Sequence, residues 1–438
     1  MKKLLYLILP LMLCVSCDDY LDVKPVGQVI PEAVEDYRSF LTAAYAITNT
    51  NKVLTTYRSD ELQINPNSTG VEQYRDIFIW NDENPSPLTR QFPYGSFYNI
   101  IFYCNHIIKN QNNMEGEAEA IDQLIGEAYA LRAMQYFELI NLYAKPYNIS
   151  TADEDPAVPI VTIYETDVEY PVSTVKEVYD LILNDLTQAD LLINVDEQNT
   201  GLNYRFSRVS VKAFKARVYL YQYQWQKAID NADEALALNS GLQDLNIDNS
   251  IMPSEYNSVE SLLALETVAS FDLANNSAIS DDLIEAYDQS GDLRFDLYFE
   301  ENPGEIFRSK KSAENKFKVS YRTSELYLIK AEALSQLGET DAAKEVLLEF
   351  SKNRYTPEGF EQYSLNLDGL NADNLLAEIL NERRREFAIE GQRWYDLRRT
   401  TQPEITKTYN GQTYTLEKND ERYVIPIPNN AVINNPEL

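Results

Sequence analysis

The sequence predicts an all-α protein in which helical hairpins stack into one body, with long loop-rich insertions and a few short strands. Apolar residues recur every three or four positions through most long segments after Pro31, which is the period of an amphipathic helix. Strand-like alternation is confined to short pieces such as 423–425. Of the 438 residues, 44% are hydrophobic and 24% are charged, a composition that is ordinary for a globular protein with a large core.

The N-terminus has the pattern of an export signal. Two lysines precede the apolar run 4–15, which is shorter than the roughly 20 residues that a bilayer-spanning helix needs. Small Ser16 stands before Cys17, as in a bacterial lipobox, although Cys14 occupies the place where leucine is usual. We predict a lipoprotein signal peptide at 1–16, with Cys17 as the new N-terminus bearing palmitate-type acyl chains. Cleavage without modification of Cys17 is the alternative.

The segment 17–30 is acidic, and we predict that it is an extended, acylated tether for the folded domain 31–438. The first hairpin of that domain lies on either side of a proline-containing connection between 146 and 171. Thr174 and Glu177 have the spacing of a capping box, which satisfies free amides at the start of a helix. The helix before the connection has one apolar face: Ile121, Leu124, Ile125, Ala128, Leu131 and Met134.

Two further hairpins are similar to tetratricopeptide units. One has a stripe at Val211, Phe214, Val218 and Tyr221, followed by a second helix that opens at Trp225 with Ala228, Ile229, Ala232, Ala235 and Leu236 on its buried edge. The segment 325–350 repeats this pattern, with Gly338 breaking the chain and Thr340 capping the second helix. The two units lie about 115 residues apart instead of the 34 of a regular array, so large insertions separate them.

Repeat scaffolds carry function in their insertions, because the hairpins themselves must stack to bury their stripes. Two stretches rich in Asn, Asp, Ser and aromatic residues qualify, at about 55–97 and about 241–320. We expect these two insertions to form the ligand face.

The charge of the chain excludes a nucleic-acid partner. There are 69 acidic and 38 basic residues, a net charge of -31. Nucleic-acid affinity depends on Lys and Arg that neutralise phosphates, so a polyanion would be repelled. A neutral ligand or a basic protein partner suits this charge.

Catalytic and metal-binding patterns are missing from the sequence. Cys104 is the one cysteine outside the leader and the lipidation position, and His106 is the only histidine, so we assign both to core packing. No nucleophile elbow or phosphate-binding glycine loop occurs. We predict a protein that is not an enzyme and has no cofactor or metal. A glycosidase with two carboxylates and a calcium ion near 246–249 are alternatives that the sequence leaves open.

The chain resembles the SusD/RagB family of outer-membrane nutrient-binding lipoproteins. The resemblance covers nearly the whole chain in the expected order. It is carried by the repeat helix 321–333, the arginine-rich stretch 382–399, the tail segments 425–428 and 434–438, and the front segments 17–22 and 98–105.

This resemblance implies a helical fold with tetratricopeptide-like repeats, lipid-anchored at the outer membrane and facing outward. It also implies a SusC-like TonB-dependent β-barrel as the partner to which captured glycans are delivered. We expect the Arg383–Arg385 run to be structural, because Glu382, Glu386 and Glu390 alternate with it at helical pair spacing. Trp394 is expected to pack beneath the run, and contact with the barrel is the alternative role.

Sugar binding needs flat aromatic faces together with amides, carboxylates or arginine. Trp225 and Trp394 fall in structural motifs, which leaves Trp80 as a stacking platform. The resemblance places Tyr94 where the family commonly has tryptophan. The full set of candidate ligand-binding residues is Asp60, Tyr74, Trp80, Asn81, Arg90, Tyr94, Tyr256 and Tyr298.

Two other functions remain open at this stage. Relatives of this family also handle peptides, and the sequence permits a peptide groove as readily as a sugar site. A periplasmic scaffold that uses its repeats for protein contacts alone is the third possibility.

Overall fold

A computed structural model describes residues 31–164, 168–304 and 306–438. The expected signal peptide, the lipidation site Cys17 and the tether 17–30 lie outside the described residues. The all-α prediction is confirmed, because helices dominate the described chain and strands occur as short pairs. Within these ranges, no helix is both long and apolar enough to cross a membrane.

The first half of the described chain forms the predicted hairpins. The long helix α5 packs between α4 and α6, and α7 packs on α8. The helices are α1 (Val34–Tyr45), α2 (Asn51–Arg58), α3 (Glu72–Phe78), α4 (Gly95–Lys109), α5 (Ala118–Tyr143), α6 (Val175–Leu192), α7 (Arg208–Tyr221) and α8 (Trp225–Leu238).

The second half adds one more repeat hairpin, α12 on α13, which packs against α8 and α15. Short helices precede it, and the arginine-rich helices follow it. The helices are α9 (Phe271–Asn276), α10 (Asp281–Glu285), α11 (Arg294–Tyr298), α12 (Thr323–Gln336), α13 (Thr340–Ser351), α14 (Pro357–Asp368), α15 (Ala372–Glu386), α16 (Arg393–Arg399) and α17 (Asn429–Asn434).

Five antiparallel strand pairs decorate this frame. They are β1 (Leu62–Ile64) with β5 (Ser277–Ile279), β2 (Pro156–Pro159) with β3 (Val172–Thr174), β4 (Ser261–Leu263) with β8 (Tyr321–Arg322), β6 (Phe299–Asn302) with β7 (Ile306–Ser309), and β9 (Ile405–Tyr409) with β10 (Gln412–Leu416). The β1–β5 pair joins the two long insertions to each other, with Leu62 opposite Ile279. Both insertions therefore contain short helices and strands as well as loops.

Two of the three local signals for the helices are confirmed. The Thr174 amide donates to the Glu177 carboxylate at 2.8 Å, and the Thr174 hydroxyl accepts from the Glu177 amide, which is the predicted capping box. Gly338 has a φ of +81°, a left-handed conformation that favours glycine. Thr340 is already helical and Glu339 precedes it, so the prediction of Thr340 as the cap was wrong.

A buried network of arginines and glutamates joins the C-terminal helices to the repeats. The Glu386 carboxylate of α15 accepts from Arg354 Nε at 2.9 Å, from Arg294 Nη1 at 3.0 Å and from Arg322 Nη1. Arg354 also contacts Glu260 at 2.6 Å. All five side chains are at most 2% exposed. Segments that lie far apart in sequence are therefore held by charges with no access to water.

The arginine run itself uses mostly distant partners. Arg385 pairs locally with Glu382, as expected. Arg383 instead pairs with Asp396 at 3.0 Å, and Arg384 lies 3.6 Å from Asp60. The run is structural, but it is neutralised mainly by other elements because its guanidinium groups point across the interface between helices.

The last helices are fixed in the same way. Arg399 pairs with Glu332 of α12, and Trp394 is fully buried and stacks on Tyr423 at 5.0 Å between ring centroids. The strand-like segment 423–425 is not a strand, because residues 421–423 form a 3₁₀ turn. The Ile425 amide donates to the Leu142 carbonyl at 2.9 Å and anchors the tail there.

We expect Glu386→Gln to lower the free energy of unfolding by about 3–5 kcal/mol, because removing one charge leaves buried arginines uncompensated. Urea denaturation of the purified chain measures this change. The control Asp180→Asn breaks the Lys176–Asp180 pair, whose side chains are more than half exposed, and should change stability by less than about 1 kcal/mol. Equal effects of the two substitutions would contradict a structural role for the network.

Buried carboxyl groups of this frame have pKa values shifted in opposite directions. Burial raises the pKa of Glu61 to about 7, although the Ile389 amide donates to it. Burial also acts to raise the pKa of Asp60, Asp396 and Glu382, but neighbouring arginines outweigh it and lower each pKa to about 2.

Because of these pKa shifts, the free energy of unfolding falls both at low pH and above neutral pH. The contribution of the arginine-paired carboxylates is lost as pH falls towards 2. The contribution of Glu61 is lost as pH rises through 7, because its folded pKa lies above its ordinary value of 4.5. We expect Glu61→Gln to reduce the loss of unfolding free energy between pH 5 and pH 8 by about 1–3 kcal/mol. Denaturation at both pH values tests this, with exposed Glu361→Gln as the control.

Candidate functional site

The C-terminal segment 425–438 borders two adjoining grooves, and Asn430 lines both. The first, which we call the aromatic groove, has a volume of about 560 Å³. Its walls combine rings with side-chain amides: Tyr94, Tyr98, Phe102, Tyr164, Asn430, Asn434 and Asn435. It has the mixed character that a sugar ring requires.

Three elements bring these side chains together: α4, the connection that follows β2, and the C-terminal segment with α17. Tyr98 and Phe102 are four residues apart on α4, so they lie on one face of that helix. Tyr164 follows β2 in the connection between α5 and α6. Phe102 is 42% exposed and Tyr164 is 63% exposed, and their rings meet edge to face at 5.4 Å. This pair is an accessible apolar surface beside polar groups.

The wall behind these rings is rigid. The Tyr98 hydroxyl donates to the Pro159 carbonyl at 2.9 Å. The Asn105 amide donates to the Val161 carbonyl, and its oxygen accepts from Arg132 at 2.7 Å. These bonds fix α4 against the connection that carries Tyr164.

Two polar atoms of the aromatic groove have no hydrogen-bond partner among the described residues. One is the buried Tyr94 hydroxyl, and the other is the side-chain oxygen of Asn435, whose nitrogen donates to the Tyr170 carbonyl at 2.8 Å. Burial raises the pKa of Tyr94, so its hydroxyl stays protonated at neutral pH. Unsatisfied buried polar groups are rare and costly, and both atoms belong to residues that line this groove.

The second groove, which we call the polar groove, lies between loop 81–92 and segment 425–430 and has a volume of about 430 Å³. Asp76 organises this loop by accepting from the Ser86 amide at 2.6 Å and the Thr89 hydroxyl at 2.7 Å. Burial acts against the charge of Asp76, but these bonds lower its pKa overall. Asp82 is bound by Arg58 at 2.8 Å.

The structure places three of the expected ligand-binding residues at these grooves. Asn81 and Arg90 line the polar groove, and Tyr94 lines the aromatic groove. The Arg90 side chain is about half exposed and lies 4.0 Å from Asp272, which accepts a hydrogen bond from the Tyr74 hydroxyl at 2.6 Å. The ring of Tyr74 itself is buried and stacks on Tyr57.

Trp80 does not offer a stacking surface. It is 1% exposed, its indole nitrogen donates to the Arg58 carbonyl at 3.0 Å, and the Lys407 ammonium lies 4.4 Å from its ring centre. Because its ring is buried, the expectation that Trp80 forms a stacking platform was wrong. A large ring stabilises the fold most when both faces are covered, and its N–H still finds an acceptor.

The other candidates also lie away from the grooves. Tyr298 is fully buried, with the Lys311 ammonium 4.1 Å from its ring centre. Asp60 forms a two-bond pair with Arg393 at 2.8 and 2.9 Å. Tyr256 is half-buried and lines neither groove. Asp60 and Tyr298 therefore belong to the frame, Asp60 through its pairing with Arg393 and Tyr298 through its burial beside Lys311.

Sequence reasoning missed Phe102, Tyr164 and the asparagines of α17. Phe102 lies in an otherwise apolar helix, so only its spacing from Tyr98 could have indicated an exposed position. The asparagines at 430 and 434 have the four-residue spacing of one helix face. Their meeting with α4 depends on the tail path and carries no local signal.

The described residues contain no group of three or more His, Cys, Asp or Glu placed to hold a metal ion. Cys104 is buried, and His106 stacks on Phe40 and Tyr37. The side chains at the grooves can therefore stack, donate and accept, and those are the interactions of a binding site.

Two family models match the chain. The model described as starch-binding and associating with the outer membrane matches residues 19–220, and the SusD family model matches residues 302–438. The chain is 26% identical to SusD-like protein P38 of Formosa agariphila, with 97% of this chain and 95% of that protein covered. SusD-like protein P2 of the same organism is 22% identical, with 100% and 98% covered.

Solved structures with the same fold include a SusD superfamily protein of Bacteroides thetaiotaomicron, with a TM-score of 0.77 and 20% identity over 92% of this chain and 98% of that one. A SusD-like carbohydrate binding protein of Bacteroides vulgatus gives 0.73 and 20% over 93% and 97%. A laminarin binding SusD-like protein gives 0.62 and 20% over 85% and 92%.

We expect Trp80→Ala to lower the free energy of unfolding by about 3–5 kcal/mol, because it leaves a cavity in the core. Thermal and urea melts measure the loss. Phe271→Ala, at a position that is 71% exposed, is the control and should change stability by less than about 1 kcal/mol. A normal melt for Trp80→Ala with loss of ligand binding would restore the stacking role instead.

Proposed function

This chain belongs to the SusD/RagB family, and from that premise we propose that it is a cell-surface lipoprotein that binds oligo- or polysaccharides in the aromatic groove. It delivers the bound glycan to a SusC-like TonB-dependent transporter of the outer membrane. The observation that carries the glycan assignment is the exposed Phe102–Tyr164 pair beside the amides of α17.

The ring pair and the amides match the two sides of a sugar. The apolar face of a pyranose covers an aromatic ring, and its hydroxyls need donors and acceptors in fixed positions. The amides of Asn430 and Asn434 provide both, and the free oxygen of Asn435 adds an acceptor. The sequence family described as starch-binding and the laminarin binding structural neighbour support the same ligand class.

The polar groove extends this site. Because Asn430 lines both grooves, a ligand longer than one or two sugars can continue from the aromatic groove towards Asn81 and Arg90. The arginine and the amide then bond hydroxyls away from the rings. A site of two connected grooves favours oligosaccharides over single sugars.

Binding without catalysis is part of the proposal. A glycosidase needs a carboxyl group with a raised pKa as general acid. Asp76 in the polar groove has a lowered pKa, and Asp82 is paired with Arg58. These two carboxylates are therefore engaged in holding the loop.

Surface anchoring through Cys17 supplies the rest of the function. Several acyl chains at about 0.8 kcal/mol per buried CH₂ hold a protein on a membrane without a spanning helix. Mass spectrometry of the mature N-terminus tests the lipid, and protease digestion of intact cells tests the outward orientation. An unacylated N-terminus, or a protein sheltered from protease, would contradict this part.

We expect Phe102→Ala and Tyr164→Ala each to weaken glycan binding by about tenfold, because one aromatic contact contributes about 0.5–1.5 kcal/mol beyond area burial. A glycan and peptide array identifies the ligand, and calorimetry measures the affinity. Ile433→Ala is the matched control, since Ile433 is exposed on α17 but does not line the groove. Unchanged glycan affinity in both ring variants, or binding of peptides alone, would reject the proposal.

A further inference from the structure

A third cleft lies at the opposite end of the tail segment from the aromatic groove. It has a volume of about 780 Å³ and is bordered by the end of α5, the turn before α8, the end of α16 and residues 419–424. We call it the arginine cleft, because the buried side chain of Arg398 lines it.

Arg398 of α16 differs from the other buried arginines of α15 and α16 in its partners. It is 2% exposed, its Nε donates to the Tyr423 carbonyl at 3.2 Å and its Nη1 to the Asn141 side chain at 3.3 Å. Its Nη2 has no hydrogen-bond acceptor, and Arg398 forms no ion pair within the described ranges. Arg383 and Arg399 nearby pair with Asp396 and Glu332.

This guanidinium remains charged. Burial lowers the pKa of Arg398 to about 10, and nearby tyrosines act against that effect. At neutral pH the side chain is still protonated. A buried charge without a counter-charge is costly, and an anionic oxygen that bonds to it in a desolvated cleft forms a strong interaction.

The carboxylates around the cleft are already engaged or lie in solvent. Asp155 pairs with Lys145 at 2.9 Å, and Asp420 pairs with Arg422 at 2.6 Å. Glu421 is exposed. None of these groups forms an ion pair with Arg398, so no carboxylate of the cleft neutralises its positive charge.

The cleft also presents aromatic walls. Tyr147 packs edge to face on Tyr179 at 5.3 Å, and Tyr223 is 38% exposed while its hydroxyl donates to the Arg399 carbonyl at 2.7 Å. The ring of Tyr223 is therefore held at the cleft with part of its surface in solvent. Rings beside one uncompensated guanidinium suit a sugar that carries an acidic group.

We propose that the arginine cleft binds an anionic substituent of a glycan, either the carboxylate of a uronic acid or a sulfate ester, with Nη2 of Arg398 as the donor. The glycan class rests on the proposed function, whereas the anion requirement rests on Arg398 itself. The protein then has a neutral sugar site and a separate site that selects for acidic sugars.

The test compares trigalacturonate with its neutral methyl ester by calorimetry on the full chain in detergent. We expect the acid to bind about tenfold more tightly than the ester, and Arg398→Gln to remove the difference. The control Lys176→Gln should keep it, because that exposed lysine lies outside the cleft and pairs with Asp180. Galactose 6-sulfate shows whether a sulfate ester is also accepted, and its binding through Arg398 supports the proposal as well.

Equal affinities for the acid and the ester would overturn the proposal, as would a difference that survives Arg398→Gln. Arg398-dependent binding of the peptide Gly-Gly-Tyr without binding of any acidic sugar would assign the cleft to peptide C-termini instead. Should Arg398→Gln unfold, Arg398→Lys retains a charge and should keep part of the preference. Neutral-glycan binding, measured with Phe102→Ala on the same arrays, separates failure here from failure of the proposed function.

Discussion

The compensation of buried charge around Glu386 is the constraint on which this molecule depends. Three arginines from three separate segments converge on that carboxylate, and Glu260 completes the group. Ion pairs of this kind add little net stability over an apolar core, but each member is costly to leave alone. The network therefore specifies one arrangement of the C-terminal helices against the repeats, because other arrangements would leave a buried charge without a partner.

That arrangement sets the path of the tail, and the tail builds the sites. Residues 419–424, which include the Tyr423 that stacks on Trp394, line the arginine cleft. The Ile425 amide then bonds to the Leu142 carbonyl, and the chain continues past the polar groove and the aromatic groove. The side chains of α4 and α17 that line the aromatic groove meet only because the frame positions both helices. The binding residues that we propose thus lie at the edge of a rigid body, where their own contacts need contribute little to its stability.

The repeat helices were predictable because their information is local: periodic apolar stripes, the Thr174 capping box and the left-handed Gly338 turn. The site was predictable only in part. Trp80 was chosen because tryptophan is scarce, yet scarcity says nothing about burial, and its indole is satisfied by a backbone carbonyl. Phe102 and Tyr164 come together through tertiary structure, which residue type and spacing cannot reveal.

The contrast between Arg398 and its neighbours extends the same constraint from stability to function. Arg399 adjoins it on α16 and Arg383 lies on α15, and both are neutralised by carboxylates of the frame. Since Arg383 and Arg399 are compensated by carboxylates, a guanidinium that bonds only to the Tyr423 carbonyl and the Asn141 amide is the exception in this cluster. The acidic ligand that we propose for the arginine cleft would supply the missing counter-charge.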